Sequence, residues 1–152
     1  MYLPQVVEFN IPRLSDAVGE YLIYHSTMIC VFVANSNADE RSALSLLLQN
    51  LNMKVVGEAA DWQTTLEKAP TTNCNLLLVD WNVLPQNAIE SIAELRKACP
   101  NEIVVVLTSY LDAREQVTLS TGTDVFISKS ETPHRLAEQF RSTAKTFHLQ
   151  DT

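Results

Sequence analysis

Positive charge is in short supply: 11 lysines and arginines stand against 18 acidic residues, a formal net charge of −7 over 152 residues. A face that binds nucleic acid or an anionic membrane without sequence preference needs a basic excess, so neither is an expected partner. Cysteine is scarce as well. Cys30, Cys74 and Cys99 are odd in number and lack C-x-x-C spacing, which points to reduced thiols rather than a disulfide framework. The histidines, His25, His134 and His148, are scattered, so no metal-binding cluster is visible. No apolar run approaches membrane-spanning length, and the N-terminus has neither the basic start nor the apolar stretch of a signal peptide. Repeats and low-complexity tracts are also missing. What is present, 46% hydrophobic and 19% charged residues, describes an ordinary globular chain long enough for one substantial core, expected in the cytoplasm.

From Ile29 onward, short β-rich runs alternate with helical patterns. "ICVFVA" (29–34) reads as a buried strand. The stretch after it carries a helical stripe at Ala43, Leu44, Leu47, Leu48 and Leu51, with Asn37 and Glu40 at capping-box spacing. "KVVGEA" (54–59) is a weaker, edge-like strand, and Asp61 caps a helix that Pro70 closes. "NLLLVD" (75–80) is a third strand, and Asn87 with Glu90 opens a helix running to Cys99. "IVVVLT" (103–108) is apolar throughout, as a strand covered on both faces should be. Asp112 and Glu115 have cap spacing for a fourth helix ending near Gly122. "DVFIS" (124–128) is the last strand. Thr132 and Pro133 then start a fifth helix, striped through Leu136, Phe140 and Phe147.

Strict alternation implies right-handed crossovers and an α/β fold: a flavodoxin-like, doubly wound, five-stranded parallel sheet of order 2-1-3-4-5 with five flanking helices. In such a sheet the chemistry gathers beyond the C-terminal ends of strands 1 and 3, here Asn35-Ser36 and Asp80. Strand 4 ends in Thr108-Ser109 and strand 5 runs into Lys129. Neighbouring strands lie about 4.8 Å apart, so these ends span roughly 10 Å, within reach of a lysine arm. Taken singly, an Asp at a strand end is a turn residue, a Thr is a β-former and a Lys is solvated. A carboxylate, a hydroxyl and an ammonium at consecutive strand ends are together a candidate site.

Those same residues carry a resemblance. From Met28 to about Phe147, the strand ending in Asp80, the "DWN" and "LTS" runs and "GTDVFISK" resemble the receiver domain of bacterial two-component response regulators. The resemblance implies that Asp80 is the phosphoacceptor, that Lys129 pairs with a phosphoryl oxygen and that Thr108 is the switch hydroxyl, with small Ser109 leaving room beside it. It further implies that Phe126 is an aromatic that changes rotamer on activation, and that the carbonyl of Asn82 is a ligand for Mg²⁺. A sensor histidine kinase or phosphotransfer protein would address the domain, and a protein partner or a second copy would dock on the face of the fourth helix, fifth strand and fifth helix. The chemistry is consistent with this. An acyl phosphate adds nearly two negative charges, which an ammonium and a hydroxyl can satisfy.

Two departures stand out. Members of that family hold Mg²⁺ with an acidic pair after strand 1, where this chain has Asn35 and Ser36. Asp39 and Glu40 fall in the first turn of the following helix and read as charges favourable to its N-terminus. Replacing two carboxylates by an amide and a hydroxyl removes most of the attraction for a hard cation. The loop after Asp80 also differs, with Pro85 five residues on and no glycine in "QNA". The expectation is a degenerate receiver. Either Asp80 is phosphorylated slowly, or the domain is a phosphorylation-independent interaction module. A flavin protein would need a glycine-bearing phosphate loop, which "NSNADERS" lacks. An aspartyl phosphatase would want an acid where Asn82 stands. No flavin and no enzymatic activity are therefore expected. Residues 1–27 lie outside the receiver pattern. "IPRLSDAVGEYLIY" has a helical stripe, and the two readings are a helix packed on the domain (28–150) or on a partner, and a stretch upstream of a true start at Met28. The short stretch after the fifth helix leads to the expectation of a stand-alone receiver whose output passes through a partner, the alternative being a fragment of a longer regulator.

Overall fold

The structure, a computed structural model, describes residues 28–108 and 122–150, with side chains to residue 146. The five expected strands are all present: β1 (Cys30–Ala34), β2 (Lys54–Ala59), β3 (Leu76–Asp80), β4 (Ile103–Thr108) and β5 (Val125–Ser128). They form one sheet of order β2-β1-β3-β4-β5, and every pairing is parallel. Four α-helices lie among the described residues: α1 (Ala38–Asn50), α2 (Trp62–Lys68), α3 (Ala88–Ala98) and α4 (Pro133–Gln150). The further helix expected from Asp112 falls outside them, as do Ser109 and residues 1–27.

Period-two alternation divides the strand residues between two cores. Phe32, Ala34, Leu77, Val79, Val104 and Val106 face Ile92 and Leu95 of α3. Val31, Val33, Leu76, Leu78, Val105, Leu107 and Ile127 face Leu44 and Leu48 of α1 and Phe140 and Ala144 of α4. Burial on both faces explains why β3 and β4 read as unbroken apolar runs. Side chains also set the helix starts. Asn37 Oδ1 accepts the Glu40 amide at 3.0 Å, Asp61 Oδ1 accepts the Thr64 amide at 2.8 Å and Thr132 Oγ1 accepts the Arg135 amide at 3.3 Å. Asn87 departs from its expected role: it occupies the N-cap position of α3, but its side chain makes no capping bond. Its φ and ψ of −87° and 62° lie off the extended geometry that N-caps favour.

Arg96 ties α3 to the far end of the sheet. Its guanidinium donates to the carbonyls of Glu102 (2.7 Å) and Gly122 (3.0 Å) and to Asp124 Oδ2 (2.7 Å), which also accepts the Val104 amide. This clamp fixes the entry of β5 beside β4 and thereby helps to place Lys129, the residue that follows β5.

Candidate functional site

Asp80 closes β3 with 1% of its surface exposed. A buried carboxylate is tolerated only when its oxygens are satisfied, and here both are. Oδ1 accepts the Asn82 amide at 2.9 Å. Oδ2 receives the Lys129 ammonium at 2.9 Å and the Asn35 side-chain amide at 3.1 Å. Lys129 arrives by backbone geometry: its amide donates to the Thr108 carbonyl at 2.8 Å, continuing the β4–β5 ladder past Ser128. Parallel strands ending in one plane thus bring Asn35, Asp80, Thr108 and Lys129 together from four separate segments, as expected of the switch point.

Glu40 was read from the sequence as a charge serving only the helix N-terminus, and the structure corrects that reading. Its Oε1 accepts both the Lys129 ammonium (3.0 Å) and the Asn35 amide nitrogen (3.0 Å). The capping box is therefore half-made, because the Asn37 amide donates to Asn35 Oδ1 at 2.8 Å instead of to Glu40. Two donors, Asn35 Nδ2 and Lys129 Nζ, each bridge the same two acceptors, Asp80 Oδ2 and Glu40 Oε1. The hydrogen bond from Asn35 and then that from the lysine hold the Glu40 carboxyl below its usual range, against an opposing effect of burial. For Lys129, burial is the largest single influence and works to lower the pKa. The hydrogen bonds and charges of Asp80 and Glu40 together outweigh it, and the ammonium is held above its ordinary value.

Asn82 was expected to offer its backbone carbonyl, yet it is the side chain that organises the loop after β3. Its Nδ2 donates to Asn35 Oδ1 at 2.9 Å, and its Oδ1 accepts the Ser36 amide at 3.0 Å. These bonds fasten the short 3₁₀ turn at Trp81–Val83 to the end of β1. Thr108 is buried at the end of β4, paired in register with Ser128. Phe126 is half-buried against the core that contains Val104 and Val106. No signal in the sequence marks the Glu40 contact, because its partner Lys129 lies 89 residues away.

A doubly wound parallel sheet with a buried, lysine-paired aspartate at its switch point defines a class of signalling domain. The chain matches the response regulator receiver domain over residues 31–141 and belongs to that family. It is 32% identical over 100 residues to the response regulator protein VraR of Staphylococcus saprophyticus, an alignment covering 65% of this chain and 48% of that protein. The chain thus spans about half the length of the curated relatives it matches. Among solved structures, the CheY-like receiver domain of Methanospirillum hungatei superposes with a TM-score of 0.70 at 19% identity, covering 81% of this chain and 98% of that one. The receiver domain of AraT from Geobacillus stearothermophilus gives 0.67 at 25% identity, covering 82% and 99%.

The residues present do not fit the divalent ion that the resemblance implies. Asn35 Oδ1 already accepts two N–H groups, from Asn37 and Asn82, and both Asp80 oxygens face donors. Hard cations take oxygen ligands with free lone pairs, and here Asn35 Oδ1 and Asp80 Oδ2 each accept two donors, which leaves only Asp80 Oδ1, with one. Among the described residues, no group of three or more His, Cys, Asp or Glu is placed to hold a metal.

Proposed function

We propose that this receiver domain carries its signal at Asp80, as the phosphoacceptor of a phosphorelay addressed by a histidine kinase or phosphotransfer protein, and passes it on by protein contact. The observation that carries this reading is the 2.9 Å ion pair between the Asp80 carboxylate and Lys129, at the ends of β3 and β5 with Thr108 between them. A phosphoryl group on Asp80 would draw the Lys129 ammonium from Glu40 to its own oxygens, a charge-assisted exchange. The change would reach the surface through β5 and α4, which Lys129 joins, and through Phe126.

A second reading has its own observation. Asp80 already accepts three donors, two of them on Oδ2, and its side chain is shielded from solvent, which favours a phosphorylation-independent interaction module. Intact-mass analysis after treatment with a small acyl phosphate separates the two. Gain of one phosphoryl group in the wild type, absent in Asp80→Asn, supports the phosphoacceptor. No gain under conditions that label a competent receiver overturns it and leaves the interaction module.

A further inference from the structure

We infer that Glu40 and Lys129 replace, with groups of this chain, the divalent cation that an acidic pair would otherwise recruit, so that the unmodified domain binds no Mg²⁺ at Asp80. The inference rests on the reading of Asp80 and Lys129 as the control site and extends it to how that site is charged. The geometry is a closed circuit of four contacts. Lys129 Nζ lies 2.9 Å from Asp80 Oδ2 and 3.0 Å from Glu40 Oε1. Asn35 Nδ2 lies 3.1 Å and 3.0 Å from the same two oxygens. Positive charge therefore already sits between the two carboxylates, in the place where a cation would gain most by sitting. A divalent ion entering the pocket would meet the ammonium at contact range, where like charges repel strongly at protein-like dielectric.

Sequence and structure agree on why this works. Asn35 stands where a carboxylate would attract metal, but an amide can donate. By donating to both acids it holds Glu40 over the pocket from the first turn of α1. Glu40 acts through Lys129 and is a positioning residue. Its carboxylate gives the ammonium a second anchor, which fixes the lysine over Asp80 instead of leaving it free to swing into solvent. Substituting this internal cation for metal leaves Asp80 compensated without any ion from solution.

The test is a Mn²⁺ and Mg²⁺ titration of the full chain, read by water-proton relaxation and by the fluorescence of Trp81, which adjoins Asp80. Wild type should show no saturable binding at about millimolar ion, the range in which weak hard-cation sites fill. Lys129→Met leaves Asp80 and Glu40 facing each other without the ammonium, and should gain binding at least about tenfold tighter than any wild-type response. Adding Glu40→Gln to that variant should abolish the gain. Lys129→Gln, which keeps a hydrogen-bond donor in the pocket, carries the same expectation if Lys129→Met does not fold, with folding checked by circular dichroism. Saturable wild-type binding that quenches Trp81 would overturn the inference, as would a folded lysine variant that gains none. No phosphodonor is involved, so the outcome is independent of whether Asp80 accepts a phosphoryl group.

Discussion

Replacing Asp80 by Asn should destabilise this domain, and the sign of that effect separates its pocket from an acidic one. Where several carboxylates crowd together, neutralising one relieves repulsion and stabilises the fold. Here Asp80 is the acceptor for three donors: the Asn82 amide on Oδ1, and Lys129 and Asn35 on Oδ2. An asparagine has one oxygen and one NH₂, so whichever way the amide turns, its NH₂ faces a donor. The better orientation keeps the oxygen toward Lys129 and leaves the Asn82 amide without its acceptor. Asn82 is exposed and its amide bond only partly buried, so leaving that donor unpaired costs about 1 kcal/mol, the low end for an unsatisfied group. Losing the charge opposite Lys129 adds roughly 1 kcal/mol, moderated because Glu40 still holds the ammonium. The total is about 2 kcal/mol, which for a domain of this size lowers Tm by about 8 °C. Thermal and urea unfolding at neutral pH, followed by far-ultraviolet circular dichroism, measure it directly. A variant as stable as wild type, or more stable, would refute the account of an aspartate held by three donors.

Other consequences follow from the core and from the charge network. Gly57 lies opposite Phe32 where the β1–β2 register shifts, and a Cβ there would meet the Phe32 ring at 2.8 Å. Phe32 is fully buried and cannot swing aside, so Gly57→Ala should lose about 2 kcal/mol, seen as a lower urea midpoint with an unchanged slope. The Glu40 carboxyl is held below its ordinary value of 4.5. Its stabilisation is therefore complete above pH 4.5 and lost as pH falls through the lowered value. Lys129 is held above 10.5, so its contribution is complete below pH 10.5 and lost as pH rises through the raised value. Glu40 is 44% exposed and solvent screens it, so Glu40→Gln should remove less than about 1 kcal/mol. It should also flatten the acid limb of the stability–pH curve below pH 4.5, measured by urea titration at several pH values.

The architecture was legible because alternation, caps and apolar runs are local signals. The fully apolar "LLLV" and "IVVV" announced strands covered on both faces, and Asn37 and Asp61 announced the helices that follow them. The convergence of Asp80, Thr108 and Lys129 followed from strand order alone, since parallel strands deliver their C-terminal ends to one edge. What the sequence concealed depended on where side chains turn after the backbone is placed. Glu40 occupies a helix first turn, where an acid needs no further explanation, and nothing local shows its carboxylate reaching to Lys129 across the fold. Asn82 was legible only as a backbone carbonyl, because its amide finds Asn35 and Ser36 only once β1 and β3 lie side by side. At Asn87, residue type favoured a cap, but the local φ and ψ lie off the cap geometry and no capping bond forms.

The most direct measurement of the central claim is a ¹H–¹⁵N spectrum of the uniformly labelled protein, recorded with and without beryllofluoride as a mimic of the phosphoryl group. If Asp80 is the phosphoacceptor and Lys129 its reporter, shifts will concentrate at Asn35, Asp80, Thr108 and Lys129, extend along β5 through Phe126, and vanish in Asp80→Asn. A spectrum unchanged by beryllofluoride, or one whose shifts survive that substitution, would contradict the claim.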